Sequence, residues 1–337
     1  MENFNNNYLI VFIFSIFNLI TYLFINKYKQ KFLFFLVDNP DGKRKLHSEP
    51  VLIIGGIFIA IYFILISIFA FWSAQNSLLL ILIISIIIFF IGLLDDYFSL
   101  SAYNKLFFIS IVILIGLYMD SELKINVLYL STFNKLLTLN FYSYIFTTLC
   151  ILLLINCLNL SDGINGLATG IGIIWLLNNL IYSDSKISLI LIPLIFLLIL
   201  IFFAIYKTKF FLGDNGSLII SSFVGFITIL NYNQNLETSN SVISAENIFI
   251  FFMLPGLDMF RLFIERLLKS KDPFSGDRNH LHHLLIKKFS LKKTLSIYFG
   301  LMIFFIVIDQ LKLIPSIYII ISFVILYFFL IKKLKNY

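Results

Sequence analysis

Long apolar runs separated by short polar segments are the feature that most constrains how this chain can fold. A transmembrane helix needs about 20 predominantly apolar residues, and many runs of this chain reach or approach that length. The runs are 8–25, 51–72, 77–94, 106–119, 144–158, 167–182, 187–205, 217–230, 247–264, 294–308 and 316–331. The chain is 60% hydrophobic and 13% charged, whereas a soluble domain is about half apolar and about a quarter charged. The sequence therefore predicts an all-α, polytopic integral membrane helical bundle of about eleven transmembrane helices, with residues 1–337 in a single domain.

The basic residues predict how this bundle is oriented. If the N-terminus lies outside and the helices alternate, all but four of the 25 Lys and Arg residues fall on the cytoplasmic side. The exceptions are Lys124, Lys135, Lys186 and Lys312. Because positive charges concentrate in cytoplasmic loops, the pattern predicts an outside N-terminus and a cytoplasmic C-terminus. The net charge of +7 then reflects topology and contact with anionic membrane lipids, and no nucleic-acid partner is expected.

The same orientation places the four histidines and several aspartates on the cytoplasmic side. They are His47, His280, His282, His283, Asp95, Asp96, Asp162, Asp214 and Asp258. The acids of the outside loops follow no pattern. A functional site that faces the cytoplasm, where nucleotides and Mg²⁺ are abundant, is therefore expected.

Two adjacent carboxylates, Asp95 and Asp96, end the apolar run that begins at Leu78. Neighbouring acids repel each other and are tolerated only at the water interface. A hard cation such as Mg²⁺ takes carboxylate oxygens and bridges to substrate phosphates. The pair by itself fits a metal site and a water-facing helix end equally well.

Polar residues recur every third position in the segment Asn156, Asn159, Asp162 and Asn165. Such spacing would place them along one side of a helix end. Asp-Gly and Asn-Gly are also ordinary turn dipeptides, but regularly spaced amides and acids at membrane depth favour a ligand pocket.

Further along the chain, Asp214 stands between Gly213 and Gly216 where a helix begins. A carboxylate and open backbone N–H groups at a helix N-terminus suit a metal-bound phosphate. A simple helix N-cap explains the same residues equally well.

Three histidines, His280, His282 and His283, follow Arg278 closely and indicate an anion-binding cluster. A zinc site is the rival interpretation, but one linear cluster lacks the spread of ligands that zinc needs. Asp258, beside Arg261, is interpreted as structural.

Two features near the N-terminus have alternative interpretations. The basic residues before His47, among them Lys45, could hold a lipid phosphate or only set topology. Gly55 and Gly56 are expected to serve helix packing.

These motifs occur in a specific order: Asp95-Asp96, then Asn-x-x-Asn-x-x-Asp-Gly-x-Asn-Gly, Phe-x-Gly-Asp-x-Gly-Ser and Asp-Arg-x-His-Leu-His-His. The chain thereby resembles the polyprenyl-phosphate N-acetylhexosamine-1-phosphate transferases, the superfamily that includes the MraY-type translocases. The histidine motif is most similar to the WecA/TagO-like branch. One departure is Asn165, which stands where the family usually has a second acid.

The resemblance implies a reaction and its partners. N-acetylglucosamine-1-phosphate, or another UDP-N-acetylsugar phosphate, would pass from a UDP-N-acetylhexosamine to undecaprenyl phosphate, a polyprenyl phosphate, with release of UMP. This would be the first membrane step of cell-envelope polysaccharide synthesis, such as O-antigen or teichoic acid, at the cytoplasmic face of a bacterial inner membrane. The resemblance leaves open whether the protein forms a homodimer. Alternatives of other classes are a secondary transporter of an anionic solute and a lipid-binding scaffold.

The resemblance also implies a role for each site residue. Asp95, Asp96 and Asp214 would be catalytic and, with Asn159, would hold Mg²⁺, with Mn²⁺ as an alternative. Phe211 would stack on uracil, while Asp162 and Asn165 would contact the nucleoside. The groups expected to hold the diphosphate or the sugar are Arg278, His280, His282 and His283. The remaining substrate-binding residues are Asn156, Lys45 and His47.

Overall fold

The predicted apolar runs form helices. The structure, a computed structural model, describes residues 2–27, 36–38, 50–72, 75–238, 243–274 and 278–335. Its helices are α1 (Glu2–Lys27), α2 (Gly55–Trp72), α3 (Asn76–Phe98), α4 (Ala102–Met119), α5 (Ser143–Ser161), α6 (Leu167–Tyr182), α7 (Ser185–Tyr206), α8 (Gly213–Thr238), α9 (Ala245–Leu268), α10 (Leu281–Ile286), α11 (Leu291–Gln310) and α12 (Ser316–Lys335). Every predicted run overlaps one of the long helices. The short helix α10 is the one α-helix of the described residues that hydropathy did not predict.

Length and composition separate these helices into two groups. Within the described residues, eight helices are long and apolar enough to cross a membrane: α3, α4, α5, α7, α8, α9, α11 and α12. Shorter apolar stretches lie in α1, α2 and α6. The predicted all-α, multi-pass membrane fold is therefore confirmed, while the exact number of spans and their orientation remain predictions.

Helix α8 lies at the centre of the bundle, packed against α2, α3, α5 and α6. Small residues of this helix, including Ser221, Ser222 and Gly225, let its neighbours approach closely. The buried hydroxyl groups do not lack partners, because Ser221 and Ser222 donate hydrogen bonds to backbone carbonyls of their own helix. The helix is thus a buried central element whose first turn carries Asp214.

Glycines allow the start of α8 to approach α2 and α3. A Cβ atom at Gly92 would lie 2.6 Å from the Cα atom of Asn215, and one at Gly56 would lie 2.5 Å from the backbone nitrogen of Gly216. The backbone N–H of Gly55 donates to the carbonyl oxygen of Phe211 over 3.1 Å. The expected packing role of Gly55 and Gly56 agrees with these contacts, which hold the first turn of α8 next to the end of α3.

The two ends of the bundle are built differently. At one end, the antiparallel strands β3 (Val127–Leu130) and β4 (Lys135–Thr138) form a hairpin, and the carboxylate of Glu246 accepts two backbone N–H groups from the intervening turn. At the other end, the short strands β1 (Val37–Asp38) and β2 (Val51–Leu52) pair. This second end also carries the last turns of α3 and α5 and the first turns of α4, α6 and α8, where the polar motifs lie.

Candidate active site

A lysine that the sequence analysis did not single out lies at the centre of the site. The Nζ atom of Lys105 is 2.6 Å from Oδ2 of Asp95, 2.8 Å from Oδ2 of Asp214 and 3.4 Å from Oδ1 of Asn159. Its side chain is only 12% exposed. We call Lys105, Asp95, Asp214 and Asn159 the cation–carboxylate centre. The signal that could have found Lys105 is its position as the single basic residue of the predicted cytoplasmic segment 95–105.

The connection between α3 and α4 explains how this lysine reaches the site. Ser99 ends α3 in the left-handed backbone region, with φ at 53°. Ser101 then caps α4, its hydroxyl accepting the backbone N–H of Asn104 over 3.2 Å. This tight reversal returns the chain on itself, so the first turns of α4 carry Lys105 back to Asp95 in the last turns of α3.

The adjacent acids Asp95 and Asp96 have different partners. The carboxylate of Asp96 accepts the backbone N–H of Asp214 over 2.9 Å and that of Asn215 over 3.0 Å, and it also accepts the side-chain amide of Asn215. A carboxylate in this place satisfies open donors of the α8 N-terminus and complements its positive dipole. The prediction that these two N–H groups are open to a phosphate is therefore wrong for the described conformation, because Asp96 holds them.

A cavity of about 670 Å³ lies next to this helix start. Predicted site residues from four separate segments line it: Asp96, Asp162, Asn165, Phe211, Asp214, Arg278 and His283. Burial, followed by the negative charges of Asp214 and Asp96, raises the pKa of Asp162 well above its ordinary value. A half-buried acid whose pKa is raised in this way suits hydrogen bonding to a polar ligand group.

The histidine motif packs as a stack beside this cavity. The ring centroids of His280 and His282 are 5.5 Å apart, and those of His282 and His283 are 4.3 Å apart. A Cβ atom at Gly163 would lie 2.7 Å from Nε2 of His282 and 2.8 Å from Nε2 of His283. The loop after α5 therefore closes directly on both imidazole rings, and a glycine is needed where it does so.

Burial determines the charge of these rings. His282 is 1% exposed, and within the described residues neither of its ring nitrogens has a hydrogen-bond partner. Burial lowers its pKa well below the ordinary value. Burial, together with the positive charges of His280 and Arg278, lowers the pKa of His283 to about 4. Both rings are therefore neutral at pH 7 and can act as hydrogen-bonding groups rather than as cations.

Asp258 anchors this motif to the bundle. Its carboxylate lies 2.8 Å from Nδ1 of His280 and accepts the backbone N–H of Leu281 over 3.0 Å. It also accepts Nη2 of Arg261 over 3.0 Å and the hydroxyl of Tyr327 over 2.7 Å. This carboxylate thus joins α9, α10 and α12, which agrees with its interpretation as a structural residue.

The regularly spaced polar residues after Leu152 do not share one pocket. Asn159 belongs to the cation–carboxylate centre and also donates to the hydroxyl of Ser217 over 3.0 Å. Asp162 and Asn165 line the cavity, whereas the amide of Asn156 donates to the carbonyl of Leu152 within its own helix over 2.9 Å. The helix ends at Ser161, so the three-residue spacing does not continue along one helix face. Two further predicted residues, Lys45 and His47, lie outside the described residues.

The donor set of the centre fits a divalent metal ion. Within the described part of the chain, no group of three or more His, Cys, Asp or Glu side chains could hold a metal by itself. However, Mg²⁺ commonly uses one or two carboxylates and completes its shell with water and substrate phosphates. Two carboxylates and an amide oxygen already surround a cation, the ammonium of Lys105. Asp95, Asp214 and Asn159 fit this role better than Asp96, whose oxygens accept N–H groups.

An apolar groove of about 500 Å³ lies between α5, α8 and α9. Its lining includes Phe146, Leu153, Ile229, Phe252 and Gly256. Two of its helices also contribute to the cation–carboxylate centre, through Asn159 of α5 and Asp214 of α8. The fold therefore combines a polar cavity at one end of the bundle with an apolar groove between helices.

Comparison with known proteins finds a family that part of this chain resembles. Residues 78–232, which include α5, the centre and the start of α8, match the family model described as glycosyl transferase family 4. The resemblance stated from the motifs is confirmed. The chain is a multi-pass membrane protein that is similar to the glycosyl transferase family 4 proteins over these residues, slightly less than half of its length.

Individual relatives extend the likeness along most of the chain. The chain is 27% identical over 266 residues to a probable undecaprenyl-phosphate N-acetylglucosaminyl 1-phosphate transferase of Bacillus subtilis, covering 77% of this chain and 72% of the relative. It is 26% identical over 261 residues to an undecaprenyl-phosphate alpha-N-acetylglucosaminyl 1-phosphate transferase of Thermotoga maritima, covering 77% and 76% respectively. The Escherichia coli K12 protein with the same name is 29% identical over 270 residues, covering 75% and 69%.

Proposed function

We propose that this enzyme transfers N-acetylglucosamine-1-phosphate from UDP-N-acetylglucosamine to undecaprenyl phosphate, releasing UMP. The observation that carries the proposal is the polar cavity, which brings site residues from four segments next to the cation–carboxylate centre. The relatives named for this reaction support the choice of sugar and lipid. The cavity would hold the nucleotide sugar, and the apolar groove would hold part of the prenyl chain.

The cavity residues account for binding of the donor. Phe211 offers an aromatic ring for uracil, and Asp162 and Asn165 offer hydrogen-bonding groups for the nucleoside. The guanidinium of Arg278 presents a planar fork of donors that matches phosphate oxygens. The neutral His283 beside it would donate one further hydrogen bond to the diphosphate or to the sugar.

We propose Mg²⁺ as the divalent metal ion, with Mn²⁺ as an alternative. Asp95, Asp214 and Asn159 would hold it, and it would neutralise charge on the diphosphate. Asp96 maintains the geometry of this site by fixing the start of α8, and hence Asp214, against the end of α3.

The reaction itself requires little from a general base. A phosphate monoester has a second pKa near 6, so the acceptor is already largely a dianion at pH 7. Its oxygen attacks the β-phosphorus, the bond from that phosphorus to the bridging oxygen breaks, and UMP leaves with the bonding electrons. One phosphoanhydride is broken and another is formed, so the reaction is expected to be nearly reversible. The chain's contribution is to position the reactants and to stabilise the charge of the transferring group.

The apolar groove suits the acceptor. Each buried methylene group contributes about 0.8 kcal/mol, and the lining of this groove is almost entirely apolar. The polyprenyl chain would therefore lie between helices while its phosphate reaches the polar end of the bundle.

We further propose that the polar end faces the cytoplasm of a bacterial inner membrane, as the distribution of basic residues predicts. A cysteine at Asn134, in the hairpin turn, should react with an impermeant maleimide from outside, whereas one at Lys288 should react only after permeabilisation. A background without Cys150 and Cys157 is required. The opposite labelling pattern would reverse the orientation.

Transport of an anionic solute is less well supported. Transporters commonly bind their substrate near the bilayer midplane, between repeated halves. Here the chemically active side chains lie at helix ends on one side of the bundle.

A double-label assay tests the proposed reaction. Membranes containing the chain would be incubated with undecaprenyl phosphate and UDP-N-acetylglucosamine labelled in the sugar and in the β-phosphorus. Both labels should become lipid-extractable in equal amounts, and uridine label should remain in the aqueous phase. An Asp214→Asn variant should transfer neither label, and a panel of other UDP-sugars should be used less well. Transfer of sugar without phosphorus would overturn the proposal.

A further inference from the structure

The ammonium of Lys105 occupies a position that resembles a metal site. Two carboxylate oxygens, from Asp95 and Asp214, lie within 2.8 Å of Nζ, and the amide oxygen of Asn159 lies at 3.4 Å. These three oxygens come from α3, α5 and α8. The lysine itself comes from a fourth helix, α4. Four separate helices therefore converge on one positive charge.

The charge balance of the centre explains this convergence. Asp95 and Asp214 would repel each other if no cation lay between them, because their side chains are only 9% and 34% exposed and solvent screens them incompletely. Lys105 supplies one positive charge against two negative ones. The centre consequently keeps an attraction for a further cation or for one of higher charge.

A divalent ion and the ammonium cannot use the same oxygens together. Mg²⁺ requires oxygen ligands at about 2.0–2.1 Å, which would place it in the space that Nζ fills. Two cations at such short range repel strongly in a partly desolvated site. The lysine stem is flexible and carries its charge at the tip, so the ammonium can leave without moving α4.

We propose that Lys105 is the resident counterion of the metal site, and that the ammonium and a divalent metal ion are alternative occupants of the same oxygens. Lys105 stabilises the metal-free enzyme, and entry of the metal displaces it toward the cavity, where substrate phosphates would receive its charge. This inference rests on the proposed function only in that the metal site belongs to it. It predicts that Lys105 weakens metal binding, the opposite of what a supporting residue would do.

Mn²⁺ binding to the purified full chain in lipid nanodiscs tests the proposal without any substrate. Free Mn²⁺ would be measured by electron paramagnetic resonance during titration of wild type, Lys105→Met, Lys105→Arg and Asp214→Asn. Lys105→Met should bind Mn²⁺ at least tenfold more tightly than wild type, because the competing charge is gone. Lys105→Arg should not bind more tightly, and Asp214→Asn should lose the site. Lys292→Met, which removes an exposed lysine from the start of α11, is the matched control and should behave as wild type.

A second measurement uses the wild-type chain alone, so that the outcome does not depend on folding of a variant. Acetylation of Lys105 by an amine-reactive reagent, followed by mass spectrometry, should increase when Mn²⁺ is added, while acetylation of Lys292 should not change. Thermal unfolding in EDTA should show Lys105→Met to be less stable than wild type. Replacing Asp95 by Asn in that variant should recover stability, since one of the repelling acids is removed.

Unchanged or weaker Mn²⁺ binding by Lys105→Met would overturn the proposal, as would Lys105 acetylation that does not rise with Mn²⁺. Absence of Mn²⁺ binding in both wild type and Lys105→Met would overturn it as well. These results are separate from failure of the proposed function, which the double-label transfer assay measures on the wild-type enzyme.

Discussion

The carboxylate of Asp258 is expected to be a major contributor to both stability and activity. It accepts hydrogen bonds from Arg261, Tyr327 and the backbone of Leu281, and it contacts Nδ1 of His280. The residue is 3% exposed, so water cannot replace these partners. Substitution by Asn keeps the size of the side chain but exchanges one acceptor oxygen for an amide group that donates.

The expected loss of stability follows from the hydrogen bonds that the substitution removes. Whichever oxygen becomes the amide nitrogen, it faces at least one group that also donates. Arg261 then keeps its charge in the protein interior with only Glu265 as a charged partner in the described contacts. Breaking one side of a buried ion pair costs about 3–5 kcal/mol, a large fraction of the roughly 5–15 kcal/mol of a typical domain. The Asp258→Asn variant should therefore unfold at a clearly lower temperature than wild type.

Thiol reactivity provides the assay. Cys157 is 2% exposed, so in a background without the half-buried Cys150 a fluorogenic maleimide should react mainly after unfolding. The reaction rate of Cys157 during heating then reports the transition. The matched control is Glu265→Gln, which removes a partly exposed partner of the same arginine and should cost about 0–1 kcal/mol. Well below the unfolding temperature, Asp258→Asn should also lower kcat/KM for the UDP-sugar, because His280 loses its fixed orientation. Equal unfolding temperatures for the two variants, with unchanged activity, would refute this reasoning.

The remaining predictions concern the cavity wall. Gly163→Ala should lower kcat/KM for the UDP-sugar and destabilise the fold by about 1–3 kcal/mol, because the added Cβ meets two imidazoles; wild-type kinetics and unfolding would contradict the described contact. Arg278→Lys should lower kcat/KM for the UDP-sugar at least tenfold, about 1.4 kcal/mol, because an ammonium cannot reproduce the guanidinium fork. The KM for the polyprenyl phosphate should change much less, and the reverse pattern in two-substrate kinetics would place Arg278 at the acceptor. His283, whose pKa is lowered to about 4 from an unfolded value of about 6.5, should contribute stability that is complete above pH 6.5 and is lost as the pH falls toward 4, since the unfolded chain binds the proton first. The unfolding temperature of wild type should therefore fall relative to that of His283→Gln as the pH is lowered through this range. A constant difference between the two proteins would contradict the lowered pKa.

Hydropathy is enough to predict the fold class, and motif spacing is enough to predict most of the polar residues that line the cavity. A bilayer requires every backbone polar group to be satisfied within a helix or a closed barrel, so long apolar runs without strand alternation predict helices. Polar groups that cannot remain in hydrocarbon are confined to helix ends. For this reason the segments around Asp96, Asp162, Asp214 and His283 could be assigned to one region, and the structure places all four at a single cavity.

Only the tertiary structure determines which partner each of these side chains contacts. Successive residues of a helix point about 100° apart, so Asp95 faces Lys105 while Asp96 faces the N-terminus of α8. In the sequence the two acids form an equivalent pair, because spacing along a chain carries no information on which distant segment each side chain meets. Lys105 was missed for the same reason: a single lysine after an apolar run indicates topology until α3, α5 and α8 bring oxygens around it. The lowered pKa of His283 likewise depends on burial and on neighbouring charges that exist only once the helices have packed.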